Sequence, residues 1–202
     1  MWLCIHCRHL EISETKPERC PVCGAGADKF VEYTGSKIKG TDTIKRLQEG
    51  FEAESKANIR DLAFAFKAEQ EGLSVIAGLF RAVAESEAVH AFHYLRLLGV
   101  IADTQENLEA AFERENYATD AYPGFVKTAE EEGNPAVARM FGFHRDVERG
   151  HAKLYKKALD RMLEPEGVEY YVCSVCGYVA IGSAPDECPI CNAPKDKFRR
   201  ID

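Results

Sequence analysis

Residues 144–155 read HRDVERGHAKLY. At the helical repeat, Val137, Phe141, His144, Glu148, His151, Tyr155, Ala158 and Met162 share one face. Apolar residues hold both ends of that stripe, while an acid and two histidines occupy its middle. Glu148 and His151 stand three apart, so the E-R-G-H word turns both side chains toward one point. Alone, such a pair on a helix face is ordinarily a solvated acid and histidine. The reading therefore turns on whether the pattern recurs.

It recurs at E-A-V-H, residues 87–90, inside the stripe Ile76, Phe80, Val83, Glu87, His90, Tyr94, Leu97. Two further stripes carry one acid each: Glu54 among Leu47, Phe51, Asn58 and Leu62, and Glu115 among Leu108, Ala111, Thr119 and Tyr122. Four helices are expected. The first runs from Thr43 to Glu71, and the second from Ser74 to Leu98, closed by Gly99. The third follows a capping box at Asp103–Glu106 and continues past Pro123 toward Gly133. The fourth has Asn134 as N-cap, Pro135 at its first position and an end near Leu163. Four carboxylates facing a bundle core would not stay ionised without a cation, because each buried charge is costly when uncompensated. Two divalent metals balance four carboxylates. One Glu from each of two helices plus two Glu-x-x-His pairs is the established pattern of ferritin-like di-iron and di-manganese carboxylate proteins. His144 reads as a packed histidine beside that site, and His93 as exposed.

Outside the helices the eight cysteines form four C-x-x-C pairs, Cys4/Cys7, Cys20/Cys23, Cys173/Cys176 and Cys188/Cys191. Two such knuckles complete a tetrahedral four-sulfur metal site. Disulfides are the alternative, but Met1-Trp2-Leu3-Cys4 has neither the cationic nor the apolar region of an export signal. A thioredoxin-type redox pair would explain one C-x-x-C and not two matched sets. His6 and His9 lie beside the first knuckle, where four cysteines already suffice. The word CPVCGAGADKF at 20–30 returns as CPICNAPKDKF at 188–198. The organisation read from this is a module at 1–36, a helical domain at 37–164 and a second module at 165–202, entered through Glu164-Pro165-Glu166-Gly167. Each module is too small for a core of its own, so metal supplies most of its folding energy.

The net charge of −7 argues against nucleic acid or an anionic membrane as partner. The most apolar stretch, Leu73 to Ala84, contains Arg81 and is too short to span a bilayer. A cytoplasmic protein is expected.

The chain resembles the rubrerythrin family over nearly its whole length. E-A-E-S-K-A at 52–57, E-A-V-H at 87–90, E-N-Y at 115–117, A-Y-P-G-F at 121–125 and E-R-G-H at 148–151 carry the likeness. Y-V-C-S-V-C-G-Y at 171–178, followed by the second cysteine word, is similar to that family's rubredoxin-type domain. The resemblance implies a mainly α fold, a ferritin-like four-helix bundle flanked by two small rubredoxin-like modules. It implies a di-iron centre held by Glu54, Glu87, His90, Glu115, Glu148 and His151, with Tyr122 near it. It further implies Fe(Cys)4 in the carboxyl-terminal module and iron or zinc in the amino-terminal one. The implied activity is a non-haem peroxidase that reduces hydrogen peroxide to water in oxidative-stress defence. Electrons would come from a donor protein or reductase through the Fe(Cys)4 centres, across a homodimer. A di-iron oxidase or oxygen reductase, or an iron-handling electron carrier, are the alternatives.

Three departures stand out. The family usually places another glutamate one turn after the third-helix ligand, where it exchanges with the second-helix histidine as one iron changes oxidation state. Here that position is Ala118, with Asp120 in poorer phase, so His90 is expected to stay bound. A tyrosine common two turns after the first-helix acid is Asp61. The amino-terminal module is additional, and its first knuckle is followed by Arg8 where the carboxyl-terminal one has Gly177.

Overall fold

Caps and small residues decide where the long helices begin, end and touch. A computed structural model describes residues 1–33, 38, 40–160 and 168–201. The expected module boundary at Gly35-Ser36, the end of the fourth helix near Leu163 and the linker at 164–167 lie outside them. Among the described residues there are four long helices, α1 (Thr41–Gln70), α2 (Ser74–Leu98), α3 (Thr104–Glu131) and α4 (Pro135–Asp160). The first starts two residues before the expected Thr43. Gly99 ends α2 in the left-handed conformation, and the Asp103 carboxylate caps α3 by accepting from the Glu106 amide at 2.9 Å. Pro123 lies inside α3, where its missing N–H leaves the Thr119 carbonyl without its usual donor, yet the helix runs on to Glu131. No helix among the described residues is long and apolar enough to cross a membrane.

The described chain divides into two compact units. The first takes in Met1–Leu3, Arg8–Pro17 and Phe30–Ala102. Here α1 and α2 form a hairpin. The deepest residues of α2 are Ala77, Ala84, Ala91 and Leu98, one every seven positions, and α1 buries Ala65 and Ala68. This differs from the sequence reading, in which Ile76, Val83 and Leu97 face inward; all three are exposed. Alanines let two helices approach closely, so the small-residue seam takes the contact and the stripe bearing Glu87 and His90 adjoins it. Across the hairpin the Asn58 amide donates to the Ala84 carbonyl at 2.7 Å.

Strands β1 (Trp2–Cys4), β2 (Leu10–Glu11) and β3 (Phe30–Glu32) form a sheet in the order β2-β1-β3, with Trp2 opposite Glu11 and Leu3 opposite Leu10. Leu3, Leu10 and Tyr33 bury against Ile44, Leu98 and Val100. Two bonds satisfy carbonyls at the end of α2 and just beyond it. The Tyr33 hydroxyl donates to Leu98 O, and Arg8 Nε donates to Val100 O at 2.9 Å.

The second unit takes in Cys4–Cys7, Glu18–Lys29 and Asp103–Asp202. Its hairpin of α3 and α4 carries an aromatic group in which the Tyr122 ring lies 5.4 Å from Phe125, 6.2 Å from Phe141 and 6.0 Å from His144. Strands β4 (Tyr170–Cys173), β5 (Val179–Ile181) and β6 (Phe198–Ile201) form an antiparallel sheet in the order β5-β4-β6. Val147 of α4 is buried among Cys173, Cys176, Cys188 and Ala193.

Candidate metal centres

The Cys20/Cys23 and Cys173/Cys176 knuckles bend their backbone so that amides point at sulfur. In the amino-terminal quartet Cys4 Sγ lies 3.6 Å from Cys23 Sγ, and Cys7 Sγ 3.6 Å from Cys20 Sγ. In the carboxyl-terminal quartet the pairs are Cys173–Cys191 at 3.8 Å and Cys176–Cys188 at 3.6 Å. A disulfide requires about 2.05 Å. Four sulfurs at about 2.3 Å from a common tetrahedral metal stand about 3.8 Å apart. Both quartets therefore have the spacing of a metal site, and all eight cysteines are free thiols.

Burial pushes the Cys20 thiol up, but the Cys23 and Val22 amides and the Cys7 thiol outweigh it, leaving it below the ordinary value. Cys173 is lowered in the same way, against burial, by the Cys176 and Val175 amides. The second cysteine of each of these knuckles goes the other way, chiefly through burial: Cys23 is pushed up to about 12 and Cys176 is raised as well. Such a quartet resists carrying four negative charges alone and is completed by a cation. His6 and His9 do not compete for it. His6 Nδ1 is 3.6 Å from Glu113 Oε2, and His9 Nε2 is 3.0 Å from Glu11 Oε2.

The six expected carboxylate-site ligands form two triads. On α1 and α2, one donor atom from each of Glu54, Glu87 and His90 lies within 4.8 Å of the others. His90 Nδ1 is 3.0 Å from Glu87 Oε2 and 3.9 Å from Glu54 Oε1. On α3 and α4, Glu115, Glu148 and His151 meet the same limit, with His151 Nδ1 3.0 Å from Glu148 Oε2. The two Glu-x-x-His words thus make the same local geometry on different helices, as their spacing dictates. Each triad offers two carboxylates and an imidazole, the charge and donor set that suits one divalent transition metal.

Protonation reflects this crowding. A hydrogen bond with Glu87 raises Glu54, and the same bond, with His90, lowers Glu87. Burial raises Glu115, and its neighbour Glu148 adds to the effect. Glu115 is the buried charged residue of the described chain, 7% exposed, and Arg114 donates to it at 3.1 Å.

Tyr122 lies in reach of this second triad: burial raises its hydroxyl, with Glu148 and Glu115 adding to the rise. Its neighbour His144 packs edge-on against the Tyr122 ring and joins neither triad, as the sequence reading holds. His93 is exposed. One residue on the α3 stripe was not singled out by sequence. Thr119, one turn from both Glu115 and Tyr122, has a buried Oγ1 without a hydrogen-bond partner among the described residues. A buried hydroxyl lacking a partner is uncommon, and here it suits a water or oxygen ligand at a metal. The residues present therefore fit iron at both kinds of site.

Comparison with known proteins agrees. Residues 45–159 match the family model "Rubrerythrin", and residues 2–31 and 171–199 both match "Rubrerythrin, rubredoxin-like domain". The chain is 34% identical to rubrerythrin-1 of Clostridium acetobutylicum, over 80% of this chain and 95% of that protein. It is 37% identical to a rubrerythrin of Porphyromonas gingivalis, over 80% and 90%. To nigerythrin of Nitratidesulfovibrio vulgaris it is 30% identical, over 85% and 93%. With two cysteine quartets at metal spacing and Glu/His triads on four ferritin-like helices, the chain belongs to the rubrerythrin family and carries its di-iron and four-cysteine metal sites.

Proposed function

We propose that this protein reduces hydrogen peroxide to water, using electrons relayed through its cysteine-bound metal centres. The observation that carries this reading is the pairing, in one chain, of carboxylate–histidine triads with two quartets of cysteine sulfurs. Breaking the O–O bond consumes two electrons and two protons and yields two waters. When bound, an iron pair supplies both electrons together, and four-thiolate iron restores them one at a time.

The chain's own residues do the rest. Glu54, Glu87 and His90 hold one metal position, and Glu115, Glu148 and His151 the other. A metal bound there would favour the ionised form of the carboxylates. Tyr122, with its hydroxyl held above the usual phenol value, stays protonated at neutral pH and keeps a proton ready beside Glu115 and Glu148. Thr119 Oγ1 offers a donor one turn away. The Tyr122, Phe125 and Phe141 rings pack against one another beside this triad and fix the direction of the Tyr122 ring. With alanine at 118, α3 passes the position as plain helix, and His90 keeps its place through the cycle.

Free thiols suit a reducing cytoplasm, where a donor protein would refill the cysteine centres. A homodimer is the assembly that goes with this reading. The test is single-turnover mixing of fully reduced protein with peroxide or with dioxygen. Peroxide should oxidise the iron faster. Faster oxidation by dioxygen would make the protein an oxygen reductase instead.

A further inference from the structure

The two cysteine words differ at a position that the fold makes meaningful. After the second knuckle of each module the backbone turns left-handed, at Gly24 with φ 68° and at Asn192 with φ 59°. Asparagine tolerates that conformation, so the turn alone does not demand glycine. What differs is the neighbour. A Cβ on Gly24 would stand 2.9 Å from Cε2 and 3.1 Å from Cδ2 of Tyr117, so the Tyr117 ring rests directly on the knuckle backbone. A second contact comes from the first knuckle, where His6 Nδ1 lies 3.6 Å from Glu113 Oε2.

Glu113 and Tyr117 stand two residues before and after Glu115. Two positions along a helix are about 200° around its axis, so these contacts lie on the face of α3 opposite the triad. One helix, about 10 Å across, separates the amino-terminal quartet from the Glu115 carboxylate. The carboxyl-terminal quartet is seated comparably on α4. There Val147, beside Glu148, is buried against Cys173, Cys176 and Cys188, and a Cβ on Gly177 would stand 3.8 Å from Val147 Cγ1.

We infer that the amino-terminal module is a second electron donor docked by its own chain, held behind Glu115 by the positioning contacts Gly24–Tyr117 and His6–Glu113. The inference rests on the peroxide reading above and adds the place of entry. For each electron passed, a ferrous four-thiolate centre becomes ferric and one ferric ion at the carboxylates becomes ferrous. One electron from each module restores the two that a peroxide takes with its two protons.

The test uses full-length, iron-replete protein, reduced and mixed with one equivalent of peroxide. Wild type, Tyr117→Ala and Tyr117→Phe are compared by visible absorption of the four-thiolate iron and by amide hydrogen exchange. In Tyr117→Ala, half of the four-thiolate absorbance change should slow by about tenfold or more, as a mispositioned donor does. Iron content should not change, and amides 20–29 should exchange faster while 173–193 do not. Tyr117→Phe, which keeps the ring, should match wild type. Wild-type rates for both halves in Tyr117→Ala would overturn the inference, as would zinc in the amino-terminal quartet. If peroxide leaves every iron of wild type reduced, the peroxide reading itself falls, and that outcome is distinct from normal wild-type oxidation with an unaffected variant.

Discussion

Glu115→Gln should make the protein more stable before iron loads the carboxylates and less stable after. In the α3–α4 triad the donor oxygens of Glu115 and Glu148 lie within 4.8 Å. At an effective dielectric of about 20, two full charges at that separation repel by about 3.5 kcal/mol. Burial, with Glu148 adding to it, holds Glu115 above the ordinary carboxylate range. A raised folded-state pKa means that the folded form binds more protons than the unfolded chain. Stability is then fully present below the unfolded value and falls as pH rises through the folded one.

Glutamine has the same shape and no charge, so it should recover about 1–3 kcal/mol at pH 8, with the gain shrinking toward pH 4.5. The assay is urea unfolding followed by helical circular dichroism. Iron is first removed from the carboxylates by reduction and chelation, with the four-thiolate iron left in place. Restoring iron should reverse the order, because wild type then uses the charge that the variant lacks. A variant no more stable than wild type at pH 8 in the stripped form would refute the reasoning.

Three further outcomes are expected. Asn58→Ala removes the amide that donates to Ala84 O across the first hairpin and should cost about 1 kcal/mol in urea unfolding, whereas no change would show the bond to be idle. Cys188→Ser should remove iron from the carboxyl-terminal quartet alone, halving the four-thiolate absorption and leaving the amino-terminal iron by metal analysis. A reductive titration of fully loaded protein should take up four electrons per chain, two at the quartets and two at the carboxylates; an uptake of three would mean zinc in one quartet.

Chemistry was more legible in this sequence than packing. The Glu-x-x-His words set two ligands on one helix face whatever surrounds them, and C-x-x-C sets two sulfurs on one turn; both are local geometry, and the donor atoms of each cysteine quartet and each Glu/His triad gather within 4.8 Å. The caps at Asp103 and Gly99 are local as well. Contact between elements was harder to see. A periodic search favours large apolar residues and passes over Ala77, Ala84 and Ala91, whose value lies in being small. Arg8 looked unsuited to the place that Gly177 fills, yet it adopts φ 61° and gains a bond to Val100 O, offsetting a strain of about 1 kcal/mol. The ring of Tyr117 against Gly24 joins residues distant in sequence, and no motif announces it.

The bond from Tyr33 to the Leu98 carbonyl joins residues 65 positions apart. On a translating ribosome that separation becomes a delay of roughly 3 to 13 s. Cys4, Cys7, Cys20 and Cys23 all precede Tyr33, so the first quartet is exposed to the cell's metal supply before the end of α2 has been made. The nascent chain therefore presents all four thiols of its first quartet before it has the carbonyl that receives the Tyr33 hydroxyl.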